Sequence, residues 1–516
     1  MILLLSSFLN PNILSLQVLL LILVVCLYKW STATFGYWKK KKVPFVKPLP
    51  LVGNLGRIVR NDINIGYLLK ELCDERVSDR FFGFYMTREP VLILNDADLV
   101  MQVMLKDFSL FNDKGFHVDE DFDMICNNIF FLKGQRWRFQ RNKMAPAFTS
   151  GKQRAMYSII NACSKSFIKH LNKLSQETPS GLELDIKSTI EDLYTDIVCK
   201  CILGLEMHSI ENPDREYKAI QDATLKPNWR LHVKQVTQFL MPYLDRKIRI
   251  SDKHIEDWFY GFAEKNVSLR NEKKIERVDL LQNLINIYNE NHNMDVNSEE
   301  YFGLRQLAAN IFVFIVAGYE TSALTTTFFL QKMALHPDIQ ERLRREILDV
   351  KKSKPNGQLE YEDYKGMTYL SMVLDETLRM YPVLPIFLRR TIAPYPIPHS
   401  DVTLDAGTYV ITPVVALHYS SKYWTNPHQF DPERFSETNR PNIVPGSFIP
   451  FNEGPRQCIG KRFAYLQMKS SICEILTNFE IKRTARTVDQ TEFVVGSMVM
   501  VPKEEIVAAF VPRKFD

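Results

Sequence analysis

Cysteine is scarce in this sequence, which contains eight in 516 residues, with no CxxC pair and no histidine beside a cysteine pair. Zinc fingers and disulfide frameworks need such clusters, so both are excluded. Internal repeats and low-complexity tracts are also absent, which excludes solenoids. Basic and acidic residues number 65 and 60, so the net charge of +5 predicts no nucleic-acid partner.

The residues that are present are typical of a large globular protein, with 46% hydrophobic and 12% aromatic residues. Length alone allows about two to four domains. The 33 Phe and 21 Tyr are spread along the whole chain, however, and would equally suit one large core. The number of domains is therefore open at this point.

The N-terminus contains an apolar run at residues 13–30, ILSLQVLLLILVVCLYKW. As a helix it would be about 27 Å long, enough for a thin bilayer such as that of the endoplasmic reticulum. Four lysines follow at residues 39–42, and positive charge beside an apolar span stays on the cytoplasmic side. We therefore predict a single membrane anchor in residues 1–30, a basic and proline-rich linker in residues 31–60, and a cytosolic domain in residues 61–516.

A cleaved secretory signal is the alternative, because Ser31, Thr32 and Ala33 are small enough for a cleavage site. Such a signal would have Lys or Arg before its apolar run, and this chain has none there. A secreted chain would also pair its cysteines, whereas a cytosolic domain keeps them as thiols. We accordingly expect the sequon at Asn266 to be unmodified.

Helical periodicity dominates the rest of the chain, and the polar segments 271–279 and 289–300 are too short to separate domains. The pattern predicts long helices over residues 152–173, 186–204, 300–335 and 458–478. It predicts short strands over residues 81–86, 91–94 and 408–415. The expected fold is mainly α with small β-sheets, in a single large domain behind the N-terminal transmembrane helix.

The strongest motif is PFNEGPRQCIG at residues 450–460, whose fixed positions follow the spacing F-x-x-G-x-R-x-C-x-G: Phe451, Gly454, Arg456, Cys458 and Gly460. Five such positions arise by chance with an expectation on the order of 10⁻⁴. The glycines allow a tight turn and the close approach of a flat ligand. A cysteine at the start of a helix favours the thiolate, which with a nearby arginine suits an axial haem ligand.

This segment resembles the haem-binding loop of the cytochrome P-450 family, and the resemblance spans roughly residues 40–512. It implies the P-450 fold, haem b as cofactor and Cys458 as the axial ligand of the iron. The resemblance extends to AGYET at residues 317–321, in a helix apolar on nearly all faces. It implies that Thr321 hydrogen-bonds dioxygen and that Glu320 relays protons. Taken alone, that motif fits an ordinary core threonine and a surface-reaching glutamate equally well.

Two further motifs match the family in the expected order: ETLR, with Glu376 and Arg379, and DPERF, with Arg434. The resemblance implies that these three residues form a buried ionic network, which is tolerated only when fully hydrogen-bonded. We assign this network to folding around haem.

The haem propionates require cationic or hydrogen-bonding partners, for which the resemblance offers Arg456, Trp137, Arg141 and Arg389. Arg390 is the alternative to Arg389, although the spacing after Pro382 favours Arg389. The chain departs from the family at Lys114, where many relatives carry Arg. That departure weakens any specific role for Lys114 and leaves the haem ligand untouched.

The resemblance implies a monooxygenase that inserts one oxygen atom of O2 into a lipophilic small molecule. No flavin or nicotinamide domain fits in the chain, so the electrons would come from NADPH through a membrane-bound cytochrome P-450 reductase, with cytochrome b5 as a further donor. A docking face for that acidic partner would contain Lys133, Arg138, Lys143, Lys461 and Arg462. For each of these residues, a solvated surface charge is the plain alternative.

The substrate is the least determined property of the chain. Helical spacing places Asn310, Phe314 and Ala317 on the side of Thr321, and residues 236–250 resemble a membrane-dipping access region. AGYETSA and ETLRMYP are most similar to the animal microsomal group that includes insect detoxification and vertebrate drug-metabolising enzymes. A xenobiotic is therefore favoured over a specific steroid, fatty acid or hormone. A non-catalytic haem-binding sensor or carrier, and an isomerase of the same fold, are the remaining alternatives.

Overall fold

The computed structural model describes residues 11–176, 178, 181–205, 207, 209–210, 249 and 251–513, and the side chains from residue 16 onward. The predicted access region therefore lies outside the described residues, apart from Arg249. Within them the longer helices are α1 Pro11–Thr32, α2 Ile65–Asp74, α3 Gly134–Met144, α4 Ser150–Ser175, α5 Ile186–Val198, α6 Lys253–Glu272, α7 Leu280–Asn291, α8 Leu304–Leu335, α9 Pro337–Lys352, α10 Thr368–Met380, α11 Val414–Tyr419 and α12 Lys461–Asn478.

Three small sheets accompany the helices. The strands are β1 Phe81–Met86, β2 Glu89–Leu94, β3 Leu182–Asp185, β4 Phe387–Arg390, β5 Tyr395–Pro396, β6 Thr403–Leu404, β7 Tyr409–Thr412, β8 Phe479–Lys482 and β9 Val507–Pro512. The sheet orders are β1-β2-β7-β4, β3-β9-β8 and β5-β6. Only the pairing of β2 with β7 is parallel among the named strands. The expectation of a mainly α fold with small sheets is confirmed.

Several predicted boundaries were wrong in detail. The helix predicted from residue 458 begins at Lys461, with Gly460 as its N-cap, so Cys458 precedes the helix. The strand predicted over residues 408–415 ends at Thr412, and residues 414–415 belong to α11. Pro413 separates the two elements because it has no N–H for the ladder. The helix predicted over residues 186–204 ends in a π-helical turn, Cys199–Leu203.

The long helix α8 forms the centre of the core. It is apolar on most sides, and α5, α6, α7, α10 and α12 all pack against it. Among the described helices, α8 is the one long and apolar enough to cross a membrane, but 67% of its most apolar window is buried. Burial of that kind is typical of a core helix, so the position of α8 is explained by packing inside the protein.

The N-terminal helix α1 differs from α8 because its apolar side chains are exposed: Leu16 is 69% and Tyr28 is 58% accessible. Within the part of the chain that is described, residues Leu16–Thr32 form a shorter apolar helix. Exposed apolar surface of this extent is typical of a contact with a membrane or with another protein. The membrane anchor nevertheless stays a prediction.

Residues 31–60 pack against the first sheet for much of their length. Trp38 is fully buried and donates its indole N–H to the Phe84 carbonyl at 3.2 Å. Phe45 forms a bridge with Gly83, and Gly53 forms one with Met86. The segment predicted as a linker is thus attached to the folded body, which begins before residue 61.

Candidate active site

The loop before α12 brings Cys458 back onto Phe451. The Cys458 backbone N–H donates to the Phe451 carbonyl at 2.9 Å. Gly454 has φ +74°, and a Cβ atom there would lie 2.0 Å from the Met104 carbonyl oxygen. This glycine is therefore required by a protein backbone contact, which differs from the ligand contact predicted for it. A Cβ on Gly460 would meet only the Cys458 sulfur, at 4.0 Å.

Cys458 is an exposed residue, as is Cys26 on α1, whereas the other six cysteines are buried. Burial among the surrounding groups raises the pKa of the Cys458 thiol, against the effect of the Gly460 N–H and the charges of Arg141 and Lys114. The predicted preference for thiolate is thus opposed by desolvation in the protein alone.

Arg141 and Lys114 act on the charge of this sulfur, and Arg456 and Arg389 in turn act on the charge of Lys114. Arg456 is buried, donates to the backbone carbonyls of Leu132 at 2.7 Å and Asn112 at 2.9 Å, and stacks over the Trp137 ring at 4.0 Å. Arg141 donates to the Gln457 carbonyl at 2.8 Å. Desolvation lowers the pKa of Arg456 to about 9, with Arg389 and Arg141 adding repulsion. Asp113 offsets part of this positive charge, and an anion would stabilise it further.

Strand β4 places the side chains of Arg389 and Arg390 on opposite faces, in different environments. Side chains alternate along a strand, and Arg389 points into the core with 1% exposure. Its Nη1 donates to the Leu388 carbonyl, while Nε and Nη2 have no hydrogen-bond partner among the described residues. Arg390 instead donates to the Gly407 carbonyl at 3.0 Å and stacks over Tyr409. Arg389 is the residue with free donors.

Lys114 belongs to the same cationic group. Its ammonium lies 3.5 Å from the centre of the Phe130 ring. Desolvation first, then repulsion from Arg456 and Arg389, holds its pKa well below the ordinary value for lysine. The family pattern gave Lys114 no specific role, but the structure places it beside the predicted propionate partners.

The middle of α8 presents Ala317, Glu320 and Thr321. Ala317 is exposed, and Glu320 and Thr321 are half-buried. The Thr321 hydroxyl donates to the Ala317 carbonyl at 2.7 Å, so its oxygen retains the capacity to accept. Desolvation raises the pKa of Glu320 to about 7, with Lys187 lowering it and Glu191 raising it. A carboxyl group that titrates near neutral pH is suited to proton transfer.

Glu376, Arg379 and Arg434 come together as one ionic network. Arg379 donates twice to Glu376, at 2.7 and 2.8 Å, and both side chains are fully buried. Arg434 reaches the same carboxylate at 3.4 Å. Arg379 also donates to the His418 carbonyl at 2.8 Å and to the Gln429 carbonyl at 3.3 Å, and the Asp431 N–H donates to Glu376 at 2.9 Å.

The family model for cytochrome P450 matches residues 43–509. Similar proteins include cytochrome P450 6j1 of Blattella germanica, 35% identical over 90% of this chain and 91% of the relative, and probable cytochrome P450 6a14 of Drosophila melanogaster, 34% identical over 89% and 92%. Cytochrome P450 6B7 of Helicoverpa armigera is 30% identical over 97% and 99%.

The chain belongs to the cytochrome P450 family.

As a cytochrome P450 the chain is a monooxygenase, and the family implies a haem b cofactor. The residues present fit that group. Free buried donors on Arg389 and on Arg456 Nε suit the negative charges of the propionates, and the thiol of the exposed Cys458 suits the iron.

Two of the predicted pocket residues have roles in protein packing. Asn310 is fully buried, donates to Gln140 at 2.9 Å and accepts from the Ile129 N–H at 3.2 Å. It also donates to the Gln306 carbonyl at 2.7 Å, so it ties α8 to α3 and is not available to a substrate. Phe314 is 7% exposed and packs on Phe148, which leaves Ala317 as the open position of the three.

His418 is a buried residue of this cytochrome P450 that contacts the ionic network and that the sequence motifs missed. It is fully buried, and its Nε2 accepts from the Ile449 N–H at 3.0 Å while Nδ1 lies 3.1 Å from the Arg379 carbonyl. A neutral ring with its proton on Nδ1 satisfies both contacts. Desolvation lowers the pKa of His418 to about 3. His418 thereby joins the ionic network to the loop that leads to Cys458.

The five predicted docking cations are not equally free. Lys143 pairs with Glu290 at 2.8 Å and Lys133 approaches Asp113 at 3.7 Å. Arg138 and Arg462 are exposed, and Lys461 lies 5.8 Å from the Phe451 ring. Arg138, Lys461 and Arg462 are therefore the better candidates for contact with a partner.

Proposed function

We propose that this chain oxidises lipophilic xenobiotics as a haem-thiolate monooxygenase of the endoplasmic reticulum membrane. The observation that carries the proposal is the exposed Cys458, whose thiol lies within the field of Arg141 and Lys114, together with the unused buried donors of Arg389 and Arg456. Haem held there supplies the oxidative chemistry: with O2, two electrons and two protons it inserts one oxygen atom into the substrate and releases the other as water.

Each residue of the sulfur side has a separate task in holding the cofactor. Cys458 would provide the thiolate ligand, and the charge of the iron would offset the desolvation that raises the thiol pKa. Arg389, Arg456 and Arg141 would bind the propionates, and the Trp137 ring stacks against Arg456. Phe451, Gly454 and Gly460 shape the loop. These assignments rest on donors and packing described above.

On α8, Thr321 and Glu320 would handle water and protons. The Thr321 hydroxyl donates to the Ala317 carbonyl, so its oxygen could accept a hydrogen bond from a water. Glu320, with a pKa of about 7, is protonated in a large fraction of molecules at neutral pH and can deliver a proton. A heme-binding sensor or carrier would have no use for such a carboxyl group.

Electrons come from an NADPH-dependent cytochrome P-450 reductase, with cytochrome b5 as a further donor. Arg138, Lys461 and Arg462 would meet an acidic surface of that partner, and attraction between opposite charges would speed the encounter. The exposed apolar side chains of α1 support membrane attachment, which keeps the chain and a membrane-bound reductase on the same surface.

The substrate class follows from the open position at Ala317 and the apolar Phe314 beside it. A methyl group and a buried ring favour a lipophilic molecule over a charged one. The motif resemblance to detoxification enzymes favours foreign compounds over a single steroid, fatty acid or hormone.

Reconstitution with reductase, NADPH and a panel of lipophilic compounds tests the proposal. We expect oxygenated products from several unrelated xenobiotics. Turnover of one hormone or fatty acid alone would support the narrow hydroxylase instead. Haem binding without any turnover would support the sensor, and salt-insensitive turnover would contradict the docking charges.

A further inference from the structure

Gln467 is a fully buried amide on α12, and the proposed reaction assigns it no task. Its Nε2 donates to the Gly318 carbonyl at 2.9 Å and to the Ser322 hydroxyl at 2.6 Å. A carbonyl only accepts, so the amide N–H must face Gly318. Both N–H groups of Gln467 thus donate hydrogen bonds to one turn of α8.

That turn carries Glu320 and Thr321, which lie between the two partners of Gln467. On another side of the same turn, a Cβ atom on Gly318 would lie 3.2 Å from Val198 and 3.6 Å from Ile202. The helix is therefore held by close packing at Gly318 and by a side-chain amide at the same residue. In an α-helix the Gly318 carbonyl also accepts from the backbone N–H four residues later, so it is a shared acceptor.

The other end of this connection is the haem ligand. Helix α12 begins at Lys461, directly after Cys458 and Gly460, and continues without a break past Gln467. Displacement of α12 would consequently move the sulfur and the Gln467 amide together. The Gln467 contact is a direct bridge from the element that follows the thiolate to the turn that carries the proton-handling residues.

Among the polar groups of Gln467, the donors have partners in the described residues and the acceptor has none. Its Oε1 is buried and accepts no hydrogen bond from the described residues. A buried acceptor without a donor is destabilising, and an apolar side chain of equal size would avoid it. The two N–H groups of Gln467 are therefore the part of the amide that binds α8.

We propose that Gln467 is a positioning residue, which holds the Gly318–Ser322 turn of α8, and with it Glu320 and Thr321, in register with Cys458. The effect on turnover rests on the proposed function. The effect on α8 does not, because it concerns the mobility of the helix.

Hydrogen exchange on the haem-loaded full chain tests the inference directly. Gln467→Met keeps the volume and removes both donors, so we expect the backbone amides of residues 318–325 to exchange at least about tenfold faster. Gln331→Met is the matched control: Gln331 is also fully buried, lies on α8, and donates to the Val488 carbonyl at 2.9 Å. The control should leave residues 318–325 unchanged. Unchanged exchange in Gln467→Met would overturn the inference.

Turnover provides a second readout that a structural role alone would not move. In Gln467→Met we expect less product per NADPH oxidised, with the missing O2 leaving as hydrogen peroxide after taking up two electrons and two protons. Gln331→Met should keep the wild-type ratio. An unchanged ratio in Gln467→Met, with normal haem content, would count against the positioning role.

The proposed function and the positioning role of Gln467 can be contradicted independently of each other. Absence of product from the wild-type chain contradicts the proposed function and leaves the exchange experiment valid. Should Gln467→Met lack haem, Ser322→Ala removes only one of the two acceptors, and faster exchange at residues 318–325 in that variant supports the inference. Wild-type exchange in Ser322→Ala would then overturn it.

Discussion

At the scale of single residues, desolvation opposes most of the charges around the site. It raises the pKa of the Cys458 thiol and of Glu320, and it lowers the pKa of Arg389 to about 10. A metal ion beside the sulfur would favour the thiolate, and carboxylates beside the arginines would stabilise guanidinium groups that stay charged at neutral pH. Haem would therefore relieve the cost of burying these groups.

Glu320 gives the site a pH dependence. Since its pKa is about 7 and the protonated form is the donor, kcat should fall as the pH rises through about 7. Glu320→Gln should lower kcat by on the order of 10²-fold and remove that inflection. Lys187 lowers the pKa of Glu320, so Lys187→Met should move the inflection to higher pH. An inflection that stays in Glu320→Gln would assign it to another group.

The burial of His418 leads us to expect that the protein loses stability in acid. The pKa of His418 is about 3 in the folded chain and 6.5 as the ordinary value, so the unfolded state binds the proton first as the pH falls below 6.5. The free energy of unfolding should decrease by about 2 kcal/mol from this group between pH 6.5 and 5. In His418→Asn, the free energy of unfolding obtained from urea titrations should fall by about 2 kcal/mol less over that pH interval than in the wild type. Equal slopes in the two proteins would refute the prediction.

At the scale of elements, the sequence pattern predicted those that depend on local periodicity. Helix α8 and strand β1 follow from their own residues, because a continuous apolar helix and a short aromatic strand have few alternatives. The start of α12 did not follow, since the Cys458–Gly460 loop bends to meet Phe451, and Pro413 ended β7 early. Long-range contacts determined those boundaries.

The ionic network of α10 supplies an element-scale prediction. Glu376→Ala leaves Arg379 buried without its carboxylate, which should destabilise the fold by about 3–5 kcal/mol and yield protein without haem. Pyridine haemochrome analysis gives the haem content per chain. Arg342→Ala is the control, because the Arg342 pair with Glu433 is exposed and should matter by less than about 1 kcal/mol. A haem-replete, folded Glu376→Ala protein would sink the assignment.

At the scale of the whole molecule, the chain forms a helical core continuous with its N-terminal segment. Removal of residues 1–33 should release the protein from membranes and leave haem binding intact, because the apolar side chains of α1 are exposed. Removal of residues 1–60 also deletes Trp38 and its contact with Phe84, and should abolish stable haem binding. Membrane flotation and haem content measure both outcomes. If the protein retained haem after deletion of residues 1–60, the result would support the prediction that residues 31–60 are a linker.

The candidate site was predictable only where its chemistry is contiguous in sequence. Five fixed positions around Cys458 lie within ten residues, so the motif alone was enough to predict a haem ligand. His418 and Gln467 were missed because their partners are distant: Ile449 is 31 residues from His418, and Gly318 is 149 residues from Gln467. Asn310 was misplaced because periodicity gives the face of a helix but not the side chains that cover it.

The reduced carbon-monoxide difference spectrum of the purified full chain is the most direct test of the haem-thiolate assignment. The account predicts the red-shifted Soret band of a thiolate-ligated haem, and it predicts loss of that band in Cys458→Ala. A wild-type chain that binds haem without the red-shifted band, or a Cys458→Ala chain that retains it, would contradict the central claim.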